Sequence, residues 1–395
     1  MKEKKIVICM VSDIISEYTG GFLKSAIRIS NGLDKNKFKI IFLAGKNKSS
    51  KKEDYINGMK IYRFPSLPLP RMKGKGCIAL PLSRKIREIL AKEKVDIVHI
   101  QTPLYLSYLA MKVAKNIGLP IVITSHTQPE NWLLNVSSIN KKYFVDFLYK
   151  IFIKIYNKAD ILICVSDFGK KLLRGHNLKS KIKVISNGID LSRFKSQSTN
   201  DFDKKFGIDH SKNKYVLYVG RLMKEKNIEV LIKSMIYVIK KLPNTRLLII
   251  GEGYREKSLK QLITKLELHT YANFLGFLSE DDLPLVFASC DVFVLPSLIE
   301  LQGMVLLEAM ASGKPIIVAN SPDSASPCLV NENGFLFDPY NPSDLAEKII
   351  KILSNDKLRA GMGKKSLRLI KKHDLNFVIK EHEKIYRKLC FAKIK

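Results

Sequence analysis

The sequence predicts an α/β protein with two doubly wound domains that face each other across a cleft. Short runs rich in Val, Ile and Leu recur along the whole chain, which is typical of parallel strands buried on both faces. Segments with a helical apolar period separate these runs, so strands and helices alternate as in βαβ units. The length of 395 residues suits two or three domains at about 100–200 residues each.

The predicted strands fall into two series, and each series is expected to form one sheet. The first series is Ile6–Val11, Lys39–Ala44, Lys60–Phe64, Asp96–Ile100, Ile121–Ser125, Ile161–Val165 and Ile182–Ile185. The second series is Tyr215–Val219, Arg246–Ile250, Asn273–Gly276, Asp291–Leu295, Pro315–Ala319 and Gly334–Phe337.

The segment Asp190–Lys214 separates the two series and predicts the domain boundaries. It is rich in Ser, Asn, Asp and Lys, a composition typical of a linker. We therefore expect a first domain over residues 1–195 and a second over residues 205–375. A basic helix at Leu375–Lys395 is predicted to follow the second domain.

The composition excludes several classes of protein. Hydrophobic residues make up 46% of the chain, so disordered, collagen-like and disulfide-scaffold proteins are excluded. The six cysteines include no C-x-x-C pair, which excludes a zinc ribbon and fits a reducing compartment. The first apolar run ends at Ser12 and Asp13, too early for a signal peptide, and no stretch approaches the ~18–20 apolar residues of a membrane span. The sequence predicts a cytosolic protein that does not cross a membrane.

The positive charge is unevenly distributed. The net charge is +31, of which residues 1–200 contribute +23, residues 201–350 contribute −2 and residues 351–395 contribute +10. A general preference for Lys, with 55 Lys against 13 Arg, is one explanation. Such a preference should act along the whole chain, however, and residues 201–350 have almost no net charge. A polyanionic partner explains the pattern better, and it could be nucleic acid or an anionic lipid surface.

The strongest motif runs from Pro296 to Pro315 and follows the predicted strand Asp291–Leu295. Ligands bind at this end of the strands in open α/β sheets. Gly303 permits close backbone approach, and Met304–Ser312 is predicted to be a helix whose N-terminus would attract an anion. Glu300 and Glu308 lie eight residues apart, about 12 Å along a helix and wider than a glycosidase pair. They suit two parts of one long ligand better, although a surface Glu and a helix-face Glu remain the alternative.

Three weaker motifs also follow predicted strands. Arg221 and Lys226 suit a diphosphate, although basic residues after a strand are usually just solvated. Gly20-Gly21 opens a helix where backbone could approach phosphate, or is simply a turn. His126, just past a strand end on the predicted cleft side, is expected to contact a ligand rather than serve only as a buried hydrogen bonder. Gly251-Glu-Gly253 lacks the third glycine of a dinucleotide-binding motif, so NAD binding is not expected.

Two stretches interleave cations with apolar residues and could lie on a membrane surface. The first contains the cations that we expect to meet the membrane, namely Arg71, Lys73, Lys75, Arg84 and Arg87. The second is Lys141–Tyr156, which we expect to pack as a core helix with snorkelling lysines.

With these motifs, the chain resembles the retaining glycosyltransferases of family 4, which have the GT-B fold of two Rossmann-like domains. The resemblance covers nearly the whole chain, and its hallmark is the Glu300-x7-Glu308 block. Supporting segments are Gly20-Gly21, Asp96–His99, Ser125–Thr127, Val165-Ser166, Val184–Asp190, Gly220-Arg221 with Lys226-Asn227, and Phe274–Phe277. Glu300-Leu-Gln-Gly303 looks like the variant of bacterial diacylglycerol glucosyltransferases. Those are basic, peripheral membrane enzymes that use a nucleotide sugar, usually UDP-glucose.

The resemblance implies a role for each matching residue. Arg221 and Lys226 would bind the donor diphosphate and stabilise its charge as it leaves, so no metal cofactor is expected. The transferred hexose would contact Glu300, His126 and the backbone of Leu301, Gln302 and Gly303. Glu308 would bind the ribose hydroxyls, backbone near Phe277 would meet the base, and Gly20-Gly21 would close over the diphosphate.

The resemblance also implies that the final helix, residues 376–395, packs back on the first domain. One departure concerns Cys328, which lies in the segment Ser321–Val330, near the end of which many members carry Glu. Front-face transfer, in which the leaving phosphate takes the acceptor's proton, is adopted as a hypothesis because the sequence offers no candidate nucleophile.

Three functions remain in competition at this level. The preferred one transfers glucose from UDP-glucose to a lipid such as diacylglycerol or a glycolipid, at the inner face of the cell membrane. A second keeps the fold but uses a soluble sugar or a polysaccharide as acceptor. The third is a basic nucleic-acid binder without catalysis, which would leave the Glu300/Glu308 block without a role and for which we find no recognised reading motif.

Overall fold

The computed structural model describes residues 4–13, 21–46, 54–68, 77–130, 141–195 and 198–391. The chain divides into two compact units. Met1–Pro129, Ile139–Gly188 and Leu375–Lys395 form the first, and Glu130–Ser138 with Ile189–Asp374 form the second. Among the described residues, no helix is both long enough and apolar enough to cross a bilayer.

The first unit is built on a largely parallel sheet. Its described strands are β1 (Ile6–Val11), β2 (Phe38–Gly45), β3 (Asp54–Ile56), β4 (Met59–Phe64), β5 (Ser66–Pro68), β6 (Cys77–Ala79), β7 (Ile97–Ile100), β8 (Ile121–Ser125), β9 (Ile161–Cys164) and β10 (Ile182–Val184). Eight of them form one sheet in the order β10-β9-β8-β7-β1-β2-β4-β3, in which β3 runs antiparallel to β4. β5 and β6 form a separate antiparallel pair.

Helices cover both faces of this sheet. Alternate side chains of each strand point to opposite faces and therefore contribute to two different cores. In β1, Ile8 and Met10 contribute to one core, while Val7, Cys9 and Val11 contribute to the other. The helices of the unit are α1 (Gly21–Gly32), α2 (Ser83–Lys92), α3 (Tyr105–Asn116), α4 (Lys141–Tyr156), α5 (Asp167–Gly175) and the last helix of the chain, α13 (Leu375–Phe391). Residues of α1 and α13 belong to the core with Ile8, and residues of α2 to α5 belong to the other.

The second unit is built on an all-parallel sheet. Its strands are β11 (Lys214–Val219), β12 (Thr245–Ile250), β13 (Ala272–Gly276), β14 (Val292–Leu295), β15 (Ile316–Ala319) and β16 (Gly334–Phe337), paired in the order β13-β12-β11-β14-β15-β16. The helices are α6 (Asn200–Phe206), α7 (Ile228–Lys241), α8 (Glu256–Lys265), α9 (Leu283–Ala288), α10 (Met304–Ala311), α11 (Pro342–Leu353) and α12 (Asp356–Leu369). Short 3₁₀ helices lie at Leu191–Phe194, Lys224–Lys226, Ser326–Leu329 and Ile370–His373.

The predicted α/β architecture is confirmed. Every predicted strand is present, and its ends differ from the prediction by one residue at most. β3, β5 and β6, each of three residues, were not predicted, whereas β10, which is equally short, lies within the longer predicted run Ile182–Ile185.

The interpretation of Asp190–Lys214 as a linker is wrong. This segment contains a 3₁₀ helix and α6, and Phe194 is 8% exposed within a core of the second unit. Asp203 is also buried, and its Oδ1 accepts a hydrogen bond from Ser289 Oγ at 2.7 Å. The seven residues of α6 are too few to establish a helical period, so the polar composition hid the helix.

Candidate active site

The candidate site begins at the carboxyl ends of the strands in the second sheet. β11 and β14 are neighbours there, although β12 and β13 lie between them in sequence. Crossovers leave such a pair of strands in opposite directions, which opens a crevice where α/β proteins bind ligands. Arg221 and Lys226 follow β11, and Glu300 follows β14. The topology therefore brings the two strongest predicted motifs together.

An ion pair joins these motifs. Lys226 Nζ donates to Glu300 Oε1 at 2.5 Å, and the two side chains are only 12% and 16% exposed. Backbone bonds hold the Glu300 segment in place, because the Glu300 carbonyl accepts from Ala325 N–H and the Glu225 carbonyl accepts from Leu298 N–H. Lys226 and Glu300 are thus adjacent, which is required of two side chains that bind neighbouring parts of a single ligand.

Arg221 is held from two sides while its guanidinium remains accessible. Its Nη2 donates to Glu225 Oε1 at 3.3 Å, and its carbonyl accepts from Tyr218 Oη at 3.0 Å. The Arg221 side chain is 59% exposed, whereas that of Glu225 is 1% exposed. Burial and the nearby carboxylates of Glu300 and Glu225 raise the pKa of Tyr218 well above its usual value, so its hydroxyl stays a donor. A preoriented, accessible guanidinium suits bidentate binding of phosphate.

The loop after β12 supports the loop that carries Arg221. A Cβ atom at Gly251 would lie 1.9 Å from the Gly220 carbonyl oxygen, and one at Gly253 would lie 2.1 Å from the Leu222 carbonyl oxygen. Leu222 N–H donates to the Glu252 carbonyl at 2.9 Å. The two glycines are therefore required for the close packing of these two loops. This packing, rather than dinucleotide binding, explains the Gly251-Glu-Gly253 pattern.

Gly303 positions the start of α10 after the Glu300 segment. It has a left-handed φ of +72°, and a Cβ there would lie 2.9 Å from Ser326 Oγ. α10 then begins at Met304, in agreement with the predicted helix start. Leu301 and Gln302 are buried in this turn, so the motif presents backbone more than side chains.

Glu308 and Phe277 lie in different surroundings. Glu308, on α10, is 7% exposed, so it is buried rather than solvated, although it is still a Glu on a helix face. Phe277 directly follows β13, at the same edge of the sheet, and is 57% exposed. Their contacts with ribose and base remain predictions. Cys328 is exposed within the 3₁₀ helix that begins at Ser326.

In the first unit, His126 follows β8 and lines a small cavity of about 10 Å³, enough for roughly one water molecule. Its Nε2 lies 2.9 Å from Gln101 Oε1, just past the end of β7. Since an amide oxygen only accepts, this contact places a proton on Nε2. Burial, and secondarily the nearby His382, lowers the pKa of His126 to about 3, so the ring is neutral. The prediction of His126 as a ligand contact stays a prediction.

A cluster of buried side chains beside His126 was missed by sequence reasoning. His99 Nδ1 lies 2.8 Å from Tyr386 Oη and its Nε2 lies 2.7 Å from Thr124 Oγ1. His382, one turn before Tyr386 on α13, shares the cavity lining with His99 and His126. The only sequence signal for this cluster was the i, i+4 spacing of His382 and Tyr386, which places both on one face of a helix. It did not indicate that their partner would be His99 of β7.

The predicted residues are thus divided between the units. Arg221, Lys226, Glu300 and Gly303 come together in the second unit, with Glu308 on the adjoining helix, whereas His126 belongs to the first. Gly21 is the first residue of α1, and Gly20 lies outside the described residues.

The predicted membrane cations are only partly described. Arg84 and Arg87 are exposed on α2, and Arg84 Nε contacts Glu88 Oε1 at 3.1 Å. Arg71, Lys73 and Lys75 lie outside the described residues.

Two largely parallel sheets, one of which carries a cation–carboxylate pair at its topological switch point, are an arrangement suited to binding a ligand that contains a nucleotide. Two family models identify the class. The model for Glycosyltransferase Family 4 matches residues 19–193, and the model for Glycosyl transferases group 1 matches residues 199–368. The chain belongs to these glycosyltransferases and is a nucleotide-sugar-dependent enzyme.

Sequence relatives include a transferase and two synthases that are named for a glucosylated diacylglycerol. A sulfoquinovosyl transferase of Arabidopsis thaliana is 30% identical over 80% of this chain, which spans 61% of that relative's length. An alpha-monoglucosyldiacylglycerol synthase of Streptococcus pneumoniae is 28% identical over 74% of this chain and 67% of its own. One of the same name from Acholeplasma laidlawii is 29% identical over 79% of this chain and 80% of its own.

Solved structures share the whole architecture. A sucrose-phosphate synthase from Thermosynechococcus elongatus has a TM-score of 0.81 at 20% identity, covering 98% of this chain and 100% of that one. Anabaena HepE in complex with UDP and glucose has a TM-score of 0.78 at 20% identity, covering 97% and 100%. This likeness confirms the predicted GT-B fold of two Rossmann-like domains.

Proposed function

We propose that the chain is a retaining hexosyltransferase that moves glucose from UDP-glucose to a lipid acceptor, such as diacylglycerol or a glycolipid. The observation that carries the proposal is the Lys226–Glu300 contact at the switch point of the second sheet, with Arg221 beside it. A nucleotide sugar joins an anionic diphosphate to a neutral hexose. Lys226 can bind the diphosphate, and Glu300 can accept hydrogen bonds from the hexose hydroxyls.

The cations supply the catalytic charge in this proposal. Arg221 is preoriented by Tyr218 and Glu225, and Lys226 is nearly buried, so Lys226 in particular would act in a low dielectric. Negative charge grows on the diphosphate as the sugar–phosphate bond breaks, and fixed cations stabilise that state more than the bound donor. The two side chains would thus do the work of a metal ion, and we propose no metal cofactor.

The transfer step is proposed to occur on one face of the sugar. The acceptor hydroxyl oxygen forms a bond to the anomeric carbon as the bond from that carbon to the leaving phosphate oxygen breaks. The hydroxyl proton passes to the leaving phosphate, which departs as UDP. Glu300, Leu301, Gln302 and Gly303 would hold the hexose through this step, and the product keeps the donor's anomeric configuration.

A lipid acceptor and a peripheral position at the inner face of the membrane are supported by two observations. Relatives named alpha-monoglucosyldiacylglycerol synthase are 28% and 29% identical to the chain. Residues 1–200 carry a net charge of +23, and Arg84 and Arg87 are exposed on α2, as an anionic bilayer would require.

The test is a screen of UDP- and GDP-hexoses against diacylglycerol and glycolipids in mixed micelles, with soluble sugars in parallel. We expect labelled glucose to pass from UDP-glucose to a lipid as the α-anomer, which NMR of the product identifies. Transfer only to a soluble sugar would replace the lipid acceptor by the alternative one. A β-linked product would refute retention, and a chain that binds nucleic acid but no nucleotide sugar would overturn the proposal as a whole.

A further inference from the structure

The outer face of α4 exposes large apolar side chains that the active site does not use. Tyr143, Phe147 and Ile151 are 75%, 55% and 38% exposed. Their spacing of four residues places them on one face of the helix. The opposite face, with Phe152 and Tyr156, is buried in the core of the first unit. The expectation of a core helix with snorkelling lysines therefore describes the inner half of α4 but not its outer half.

Cations lie among these apolar side chains. Lys150 and Lys154 are exposed on the same face of α4, at helical spacing from Tyr143 and Phe147. Asp146 is the one acidic residue among the sixteen of α4. The face thus combines aromatic and aliphatic side chains with positive charge, which is not the composition of an ordinary solvated helix face.

The outer side of α3 continues this surface. Tyr105 and Tyr108 are 47% and 38% exposed, and Lys112 is exposed on the same side of the helix. Lys158, two residues beyond the end of α4, places its Nζ 5.8 Å from the centroid of the Tyr108 ring, so the segment that follows α4 contacts the outer side of α3. α3 contains no acidic residue. We call Tyr105, Tyr108, Lys112, Tyr143, Phe147, Lys150, Ile151, Lys154 and Lys158 the α3–α4 face.

We propose that the α3–α4 face docks on an anionic lipid bilayer, with Tyr143, Phe147 and Ile151 inserted at the boundary between headgroups and acyl chains. The inference rests on the proposed lipid acceptor and assigns it a docking surface. Tyr combines an apolar ring with a polar tip, and Lys reaches from an apolar stem to a phosphate, so both suit this boundary. Charge complementarity selects anionic lipid, because several lysines and one Asp line the two helices.

Other occupants fit the α3–α4 face less well. A second copy of the chain, paired symmetrically, would bring the lysines of one face against those of the other. Single-stranded nucleic acid would match the charge and could stack on the tyrosines, but it gives Ile151 no partner. A bilayer alone satisfies the charged and the aliphatic side chains together.

The first experiment compares two triple variants in vesicle sedimentation. Tyr143→Ser, Phe147→Ser and Ile151→Ser are combined in the test variant. The matched control combines Tyr237→Ser, Leu367→Ser and Phe377→Ser, whose side chains are 47%, 46% and 55% exposed elsewhere. With vesicles containing phosphatidylglycerol, we expect at least about a tenfold loss of affinity in the test variant and none in the control. Hydrolysis of UDP-glucose in detergent should stay at the wild-type rate in both.

The second experiment measures insertion directly. Phe147→Trp and, as its control, Tyr237→Trp are each added to the chain, and emission is recorded with vesicles of brominated phosphatidylglycerol. Bromine quenches an indole only at close range. On addition of vesicles, the Phe147→Trp protein should therefore lose a larger fraction of its emission than the wild-type protein does, and the control should not. This readout does not require the triple variant to fold.

The outcomes separate docking from the proposed function. Vesicle binding that is equal in the test variant and wild type, with unquenched Trp at position 147, overturns the docking surface while transfer to lipid in micelles stands. Docking at this face by a chain that transfers hexose to no lipid overturns the proposed function alone. A wild-type dimer that the test variant abolishes, or loss of oligonucleotide binding without loss of vesicle binding, assigns the face to another occupant and overturns the inference.

Discussion

Among single residues, Glu308 is the one whose predicted role depends most directly on its charge. It is 7% exposed on α10. Changing Glu308→Gln keeps its shape but replaces a charge-assisted bond to ribose by a neutral one, a difference of roughly 1–2 kcal/mol. We expect the dissociation constant of UDP-glucose, measured by calorimetry, to rise about 5–30-fold. Unchanged binding and turnover would make Glu308 structural.

Arg221 should contribute more to turnover than to donor binding. Its exposed guanidinium is free to meet a diphosphate whose charge grows in the transition state. Arg221→Ala should lower kcat by about 10²–10³-fold, with a smaller effect on the dissociation constant of the donor. The control is Arg246→Ala, at the amino end of β12 and away from the site. Equal losses in kcat and affinity would instead indicate simple ground-state binding.

At the scale of elements, α13 contributes a histidine to a buried cluster that should make stability depend on pH. Burial is the main cause that lowers the pKa of His99, His126 and His382 below its usual 6.5. Below pH 6.5 the unfolded chain binds protons at these sites while the folded chain does not, so stability falls as pH falls. The slope has an upper limit of about 1.4 kcal/mol per pH unit for each histidine that stays neutral in the folded chain.

Urea unfolding between pH 7.5 and 5.5 measures this slope. His382→Gln removes one of the three groups and should reduce the slope, whereas His269→Gln, at an exposed position, should leave it unchanged. Stability that is flat over this range in the wild-type protein would mean that the cluster takes up protons without unfolding.

The elements differ in how well the sequence predicts them, and the reason is physical. A strand buried on both faces, such as β11, must be a continuous apolar run, so its ends are visible in the sequence. α6 and β3 are short and polar, and their positions depend on tertiary contacts such as that of Asp203 with Ser289. The same distinction applies to the site. Motifs that follow strands predicted Arg221, Lys226 and Glu300. Glu225 orients Arg221, and Tyr386 contacts His99, and no local sequence pattern reveals either contact.

The distribution of charge is a property of the whole molecule, and it leads to a further prediction. Leu375–Lys395, which contains α13, belongs to the first unit and adds a net charge of +4 to the basic first half of the chain, whereas residues 201–350 of the second unit are close to neutral and its residues 351–374 carry the remaining +6. Such a division suits an enzyme whose acceptor lies in an anionic bilayer and whose donor is a soluble anion. We therefore expect binding to vesicles to rise with the fraction of anionic lipid and to be lost near 1 M salt, where the Debye length is about 3 Å.

Specific cations should account for this binding. Each Lys or Arg near an anionic surface contributes about 1 kcal/mol, so replacing the five predicted membrane cations, Arg71, Lys73, Lys75, Arg84 and Arg87, by Gln should weaken vesicle binding by several orders of magnitude. The matched control replaces five exposed lysines of the second unit by Gln, namely Lys233, Lys240, Lys241, Lys257 and Lys265. Both variants lose the same charge, so a loss confined to the first would show that these five cations contribute to docking together with the α3–α4 face, and that net charge alone does not account for it. Equal losses would make binding a nonspecific effect of charge, and a wild-type chain indifferent to lipid charge would contradict the lipid acceptor itself.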